Sequence, residues 1–172
     1  MCPKRKPITA PNRPSRARPD AVSVERIDVA GQAQPSGDEA LFFLDQSEAL
    51  HRAFRPIIGP DYRAHMAAMF AEGAGLVQLF DQGEVRALAV WRAFHTTYCG
   101  YRLEIDDLVT DETQRSKGYG ATLLTFVEAK ARAMGCDTLT LNSAVPRARA
   151  HRFYFREGLH IAGFHFSKDL KA

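Results

Sequence analysis

The residues best suited to chemistry lie between positions 104 and 121. Glu104 and Asp106 stand two positions apart in a stretch that favours a β-strand, so we expect both carboxylates on one face, about 7 Å apart. A loop with Gly118 and Gly120 follows, and glycine lets backbone N–H groups point at an anion without obstruction by a Cβ atom. The pattern predicts a proton acceptor beside an anion site. For the two carboxylates, a solvated strand edge explains the spacing equally well.

The glycine loop is expected to lie between a strand at 103–110 and a helix. One face of this strand is expected to hold Leu103, Ile105, Asp107 and Val109. The helix has an apolar side from Leu124 to Met134 and ends at Gly135, and a strand at 138–141 follows. This order predicts two parallel strands joined by a right-handed crossover. Because the N-terminus of the helix adds the positive end of its dipole, a pyrophosphate is the expected ligand.

Strand and helix patterns alternate through the rest of the chain. A first strand is expected at 22–29, followed by a pair of helices at 39–72 that is broken at Gly59 and Pro60. The other expected elements are strands at 76–80, 85–94 and 161–166 and a short helix at 147–156. The alternation predicts an α/β fold class with a mixed sheet.

Charge is unevenly distributed along the 172 residues. Residues 1–20 hold six basic side chains, one acidic side chain and five prolines, which leaves 17 basic and 19 acidic side chains in the remainder. We therefore expect a disordered basic arm at 1–20 and a single domain at 21–172. The arm suggests either a weak contact with nucleic acid or a membrane, or a solvated leader. We favour the leader and expect no nucleic-acid partner.

The sequence shows no membrane span and no apolar signal peptide, so we expect a cytoplasmic protein. The three cysteines are widely spaced and fit free thiols. No metal site is expected, because no Cys-x-x-Cys pair is present and the histidines near the C-terminus have no carboxylate cluster beside them.

The glycine loop also fits part of a dinucleotide-binding motif. Gly118 and Gly120 match its first two glycines, and Asp137 lies 19 residues beyond Gly118. However, Leu123 stands where a third small residue is required, and the loop lies about two-thirds of the way along the chain instead of after the first strand. A dinucleotide-binding oxidoreductase is therefore an alternative with two faults.

Two segments in this order resemble the GNAT superfamily of N-acetyltransferases. The first is Gln114-Arg-Ser-Lys-Gly-Tyr-Gly-Ala121 after an acidic strand, and the second is Ala150-His-Arg-Phe-Tyr-Phe-Arg-Glu-Gly158. The resemblance covers roughly residues 76–170. It implies the GNAT fold, a mixed and mostly antiparallel sheet of about six to seven strands with about four flanking helices. The sheet would be splayed between its fourth and fifth strands, with acetyl-CoA in the gap.

The resemblance also implies how acetyl-CoA is held. Backbone N–H groups of the glycine loop would bind the pyrophosphate, and the end of the preceding strand would pair with the pantetheine arm like an extra strand. The implied cofactor-binding residues are Leu108, Val109, Thr110, Gln114, Arg115, Ser116, Lys117, Gly118, Tyr119, Gly120, Ala121, Asn142, Ala150, Phe153 and Arg156.

By the same resemblance, Tyr154 is the acid that protonates the departing thiolate. The base is Asp106 or Glu104, acting directly or through water. We favour Asp106, because Ile105-Asp106-Asp107-Leu108 resembles a stretch of polyamine-acetylating relatives. Since aspartate is one methylene shorter than glutamate, a water relay is the favoured route.

The acceptor is expected to be a primary amine of a small cationic molecule or a peptide. Aromatic residues between positions 91 and 101, among them Trp91 and Tyr98, could stack on a cation, and Asp107 could pair with it. The same aromatics would equally fill the face of a β-hairpin. A non-catalytic CoA-binding regulator on the same fold is the second hypothesis. By analogy with small members of the superfamily, a homodimer through residues 161–166 is also expected.

Overall fold

The computed structural model describes residues 26–31 and 38–170. Five strands and four α-helices are present in this part of the chain. The strands are β1 Arg26–Gly31, β2 Ala74–Asp81, β3 Glu84–Thr96, β4 Gly100–Thr110 and β5 Thr138–Leu141. The α-helices are α1 Asp38–Phe54, α2 Tyr62–Ala71, α3 Tyr119–Ala133 and α4 Ala148–Arg156, and a 3₁₀ turn spans Glu112–Gln114.

The strands form one sheet in chain order, and β1 to β4 pair in antiparallel fashion. The N–H of Asp137 donates to the carbonyl of Tyr101 at 2.7 Å, so β4 and β5 begin side by side, as parallel strands do. The mixed sheet and the crossover through α3 confirm the predicted fold class. Because β5 has only four residues, the second half of β4 has a described strand as neighbour on the β3 side alone.

The chain divides into two compact units, Met1–Thr140 and Leu141–Ala172. In the second unit, α4 ends at a backbone turn in which Gly158 has a φ of 90° and Leu159 donates to the carbonyl of Tyr154. The strand predicted at 161–166 is wrong, since these residues have no regular secondary structure and Phe164 and Phe166 are exposed. The predicted arm at 1–20 and the predicted strand residues 22–25 lie outside the described residues.

One residue of β4 is extra in its pairing with β3. Trp91 lies opposite Ile105 while Val90 lies opposite Asp107, which leaves Asp106 as a β-bulge. The bulge reverses the alternation of side chains, so the prediction that Ile105 and Asp107 share a face is wrong. Ile105 shares the α3 side of the sheet with Trp91, whose ring lies 5.0 Å from the Lys130 ammonium of α3. Asp107 lies on the other side, against α1.

Each face of the sheet packs against helices, which explains why its strands are apolar on both sides. The core on the α1 and α2 side consists of Leu44, Ile58, Tyr62, Met66, Ala74, Leu76, Leu88, Val90 and Val109. On α3, Leu123, Leu124 and Val127 are also buried. The predicted helical pair at 39–72 is confirmed as α1 and α2, with Asp61 accepting a hydrogen bond from the Ala64 N–H at the start of α2. Among the described helices, none combines the length and the apolar character needed to cross a membrane.

Gly75 is required by the packing of the α3 side. A Cβ atom at this position would overlap the indole of Trp91, which is 1% exposed and has little room to move. We expect Gly75→Ala to lower the free energy of unfolding by about 1–3 kcal/mol, as overpacking does in other cores. Urea denaturation measures this change. Gly163→Ala is the control, because a Cβ atom there meets nothing within 4 Å; equal stability losses in both variants would contradict the explanation.

Candidate active site

The glycine loop has the geometry of an anion site. Gly118 is the N-cap of α3, its φ is 90°, and no side chain caps the helix. The first N–H groups of a helix have no partner within the helix, so α3 presents donors and the positive end of its dipole at this point. Tyr119 fixes the first turn, because its buried ring carries a hydroxyl that donates to Asp81. The backbone here fits the phosphate-binding role that the sequence predicts.

The basic side chains of this loop bond to their own neighbours. Arg115 pairs with Glu112, and the Lys117 ammonium donates to the Gln114 amide oxygen. Both basic side chains are exposed. They are therefore available to an incoming phosphate only by exchanging these local bonds, which are weak at a surface.

The two candidate bases share a face of the sheet, as predicted. Arg92 donates to both oxygens of the Asp106 carboxylate, from Nε at 2.8 Å and from Nη2 at 3.1 Å. Glu104 lies opposite Arg92 across the strand pair and accepts a hydrogen bond from Arg102. Each carboxylate therefore has an arginine partner on the same face, and the pair of Asp106 with Arg92 is the more exposed of the two. The assignment of Asp106 or Glu104 as the base remains a prediction.

Asp107 lies next to Asp106 but belongs to a buried network. Its Oδ2 accepts from His51 Nε2 at 3.0 Å, and its Oδ1 accepts from Arg55 Nε at 2.7 Å. His51 Nδ1 lies 2.9 Å from the Tyr62 hydroxyl, which also contacts Ser47 at 3.2 Å. Arg55 further reaches the carbonyl of Asp106 at 3.4 Å. Asp107, predicted to bind substrate, thus joins the helical pair to the bulge.

Burial and hydrogen bonding shift the pKa values of this network in opposite directions. Burial alone would raise the pKa of Asp107, but hydrogen bonds from His51 and Arg55 outweigh it and hold the pKa below its usual value. Burial raises the pKa of Tyr62 to about 12, although the hydrogen bond between Tyr62 and Ser47 acts in the opposite direction. The carboxylate is therefore ionised and the phenol protonated at neutral pH.

His51 and Ser47 were not predicted from the sequence, although their positions carry a signal. Ser47 and His51 follow Leu44 by three and seven positions, so they lie on the buried stripe of α1. Polar residues on such a stripe need hydrogen-bond partners, and Tyr62 and Asp107 supply them.

The aromatic residues predicted to contact the substrate, between positions 91 and 101, fall into a buried and an exposed group. Trp91 is 1% exposed and packs in the core, so its predicted stacking on a substrate has no support in this structure. Tyr98 is 61% exposed and Phe94 is 39% exposed. The guanidinium of Arg102 lies 4.7 Å from the Phe94 ring centre and 5.7 Å from that of Tyr98, and it donates to the Tyr98 hydroxyl. The exposed aromatics therefore hold an arginine of the chain itself.

The second unit carries the predicted acid on α4. Tyr154 packs edge-to-face against Phe153, with ring centres 5.4 Å apart. Burial raises the pKa of Tyr154, although Arg147 acts in the opposite direction. Arg156 bonds to Glu157, and its guanidinium lies 5.3 Å from the Phe153 ring centre. Asn142 and Ala150 belong to the same unit, and their predicted roles remain predictions.

Comparison with known proteins agrees with this fold. The profile of the acetyltransferase (GNAT) family matches residues 43–159, which is more than half of the chain. The chain therefore belongs to the GNAT family, and it is an acetyl-CoA-dependent N-acetyltransferase. The dinucleotide-binding alternative is thereby set aside.

Two relatives match by sequence. The aminoalkylphosphonate N-acetyltransferase of Salmonella typhimurium is 29% identical over 130 residues, which cover 73% of this chain and 77% of the relative. An uncharacterized N-acetyltransferase of Bacillus subtilis is 36% identical over 105 residues, covering 60% of this chain and 74% of the relative. Among solved structures, an aminoglycoside acetyltransferase from an uncultured soil metagenomic sample has a TM-score of 0.70 at 16% identity, covering 85% of this chain and 96% of that chain. At this identity the structural likeness shows the fold alone.

The Asp107 network should make stability depend on pH. Asp107→Asn removes the charge that His51 and Arg55 bind, and we expect a loss of about 2–3 kcal/mol in the free energy of unfolding at pH 7. Because the folded pKa is depressed, this contribution is present above the unfolded pKa of about 3.9 and is lost as the pH falls through the folded value. Urea titrations of both proteins from pH 7 downward should therefore converge in acid.

Asp45→Asn is the control for this measurement, because Asp45 pairs with Arg63 at the surface. Exposed pairs contribute little, so this variant should keep nearly the stability of the native chain. A gap between native protein and Asp107→Asn that stays constant down to strongly acidic pH would contradict the assigned role.

The left-handed backbone at Gly118 gives a test of the anion site. Gly118→Ala forces a Cβ atom into a conformation that costs about 1–2 kcal/mol in L-residues, so both the melting temperature and the affinity for acetyl-CoA should fall. Thermal unfolding and calorimetric titration measure the two effects. Gly120→Ala lies within α3 and should preserve stability, because alanine favours a helix. Unchanged acetyl-CoA binding in Gly118→Ala would count against the site.

Proposed function

We propose that this chain transfers the acetyl group of acetyl-CoA to the primary amine of a small molecule, by direct attack in a ternary complex. The observation that carries the proposal is the continuous path from β4 to the start of α3. One strand presents Glu104 and Asp106 on a partly exposed face and leads through a short turn to the uncapped N-terminus of α3. A proton acceptor and an anion site are thereby built on consecutive elements of the chain.

Acetyl-CoA fits the residues of the first unit. The N–H groups at the start of α3 would hold the pyrophosphate, where Gly118 leaves the approach free of a Cβ atom. Leu108 to Thr110 would pair with the pantetheine arm through the backbone groups on the side of β4 away from β3. When bound, acetyl-CoA supplies a thioester that an amine can attack and a thiolate as leaving group.

Two residues of the chain would then accept and donate the protons of the reaction. Asp106, or Glu104, removes a proton from the acceptor ammonium through a water molecule, so that the neutral amine can attack. Tyr154 donates its hydroxyl proton to the leaving thiolate. Burial raises the pKa of Tyr154, so the phenol is protonated at neutral pH, as an unshifted phenol would also be, and the assignment rests on the match of Tyr154 to the family motif.

One of the two sequence relatives supports a small amine as the acceptor. The Salmonella relative is named for the acetylation of aminoalkylphosphonates, which are small molecules with a primary amine. The aromatic residues predicted to contact the acceptor, at positions 91–101, lie on β3, on β4 and in the turn between them.

The proposal is tested by thiol release from acetyl-CoA with a panel of small primary amines. We expect Tyr154→Phe to lower kcat by about 100-fold or more while binding acetyl-CoA with native affinity, since only the proton donor is lost. Asp106→Asn and Glu104→Gln form a matched pair, and the larger loss identifies the base.

Two results would overturn the proposal. Binding of acetyl-CoA without turnover of any amine would favour the non-catalytic regulator, and native turnover in Tyr154→Phe would remove this tyrosine from the mechanism. Mass spectrometry of the product confirms that acetyl transfer, and not hydrolysis, consumes the thioester.

A further inference from the structure

We infer that the acceptor amine carries an anionic group, such as a phosphonate or a carboxylate, and that Arg92 and Arg102 bind this group. The inference rests on the proposed function, because it concerns the acceptor of the same reaction. It also revises the expectation of a cationic acceptor.

The charges on the face of β3 and β4 that holds Asp106 and Glu104 are balanced. Asp106 is bound by Arg92 in a bidentate pair, and Glu104 is bound by Arg102. No excess of negative charge awaits a polyamine here, and a second ammonium group would meet two guanidinium groups. An amine with an anionic end complements this arrangement, because its ammonium can approach the carboxylates while its anion approaches the arginines.

The two arginines lie on the same face of the strand pair. Arg92 lies opposite Glu104, and Arg102 lies opposite Phe94, so both guanidinium groups rise from one face of the same strand pair. Planar guanidinium groups bind carboxylates and phosphonate-like anions through two parallel hydrogen bonds. The Arg92 side chain is 42% exposed and open to a ligand.

Arg102 is held in place by two aromatic side chains. Its guanidinium lies against the rings of Phe94 and Tyr98, and Tyr98 accepts a hydrogen bond from Nη1. These contacts orient the group before a ligand arrives, which lowers the entropic cost of binding. In the part of the chain that the structure describes, its buried Nε has no hydrogen-bond acceptor. An acceptor that a ligand brings to this nitrogen would displace neither Tyr98 nor Glu104.

The first experiment compares four amines built on the same alkyl chain and ending in a phosphonate, a carboxylate, a hydroxyl or a second ammonium group. We expect kcat/KM for the better anionic amine to exceed that for the diamine by at least about tenfold, the factor expected for one charge-assisted hydrogen bond. The phosphonate and carboxylate arms identify which anion the site prefers. Faster acetylation of the diamine would overturn the inference and leave the proposed function intact.

The second experiment uses Arg92→Gln and Arg102→Gln. We expect each variant to lower kcat/KM for the anionic amine by about 10- to 100-fold more than for the hydroxyl-ended amine, with the difference mainly in KM, because loss of the ion pair with Asp106 or Glu104 affects both amines alike. Arg132→Gln is the control, because it removes an arginine from an exposed pair with Glu128 on α3 and should leave both amines unaffected.

Equal losses for charged and uncharged amines would show that the arginines are only structural, and would overturn the inference. If Arg102→Gln does not fold, Arg92→Gln and the comparison of native substrates still decide the question. If no amine is acetylated by the native protein, the proposed function fails and this inference with it.

Discussion

The extra residue at position 106 is the constraint on which the rest of the site depends. In a regular strand, Asp106 and Asp107 would point to opposite faces, and one carboxylate would enter the apolar side of the sheet that α3 covers. The bulge turns both toward the helical pair, where arginines and a histidine are available. An unpaired carboxylate in the apolar layer would cost several kcal/mol. The bulge avoids this cost because it brings both carboxylates to the side where their partners lie.

The two neighbouring aspartates then differ because their surroundings differ. Asp107 is 9% exposed and has His51 and Arg55 on its two oxygens, so its interactions act mainly on the stability of the fold. Asp106 pairs with Arg92, whose side chain is 42% exposed, whereas Glu104 pairs with Arg102, whose side chain is 16% exposed, so a ligand can replace the Asp106 pair more easily. Arg55 touches both aspartates, through the carboxylate of one and the carbonyl of the other. Arg55 thereby links the buried Asp107 network to Asp106, which lies closer to solvent.

Much of the fold could be predicted from the sequence, because periodicity and glycine positions determine it. The glycine loop, α3 and β5 follow from patterns that local chemistry sets, and the two motifs around Gly118 and Tyr154 identify the family. The bulge could not be predicted, because it arises from the register of β3 against β4 and not from the residues of β4 alone. The burial of Trp91 depends on Gly75 and α3, which sequence spacing does not bring together. The network of Ser47 and His51 was visible only as two polar residues on an apolar stripe, whose partners lie on α2 and β4.

The short β5 has a consequence for how the protein behaves in solution. Among the described strands, the second half of β4 has a neighbour on one side only, so its backbone donors and acceptors on the other side form an open strand edge. Open edges invite pairing with other chains and are a known route to aggregation. A pantetheine arm that pairs along Leu108 to Thr110 would close this edge as an added strand does. The cosubstrate would then protect the fold as well as supply the acetyl group, and the protein would be least prone to self-association when acetyl-CoA saturates it.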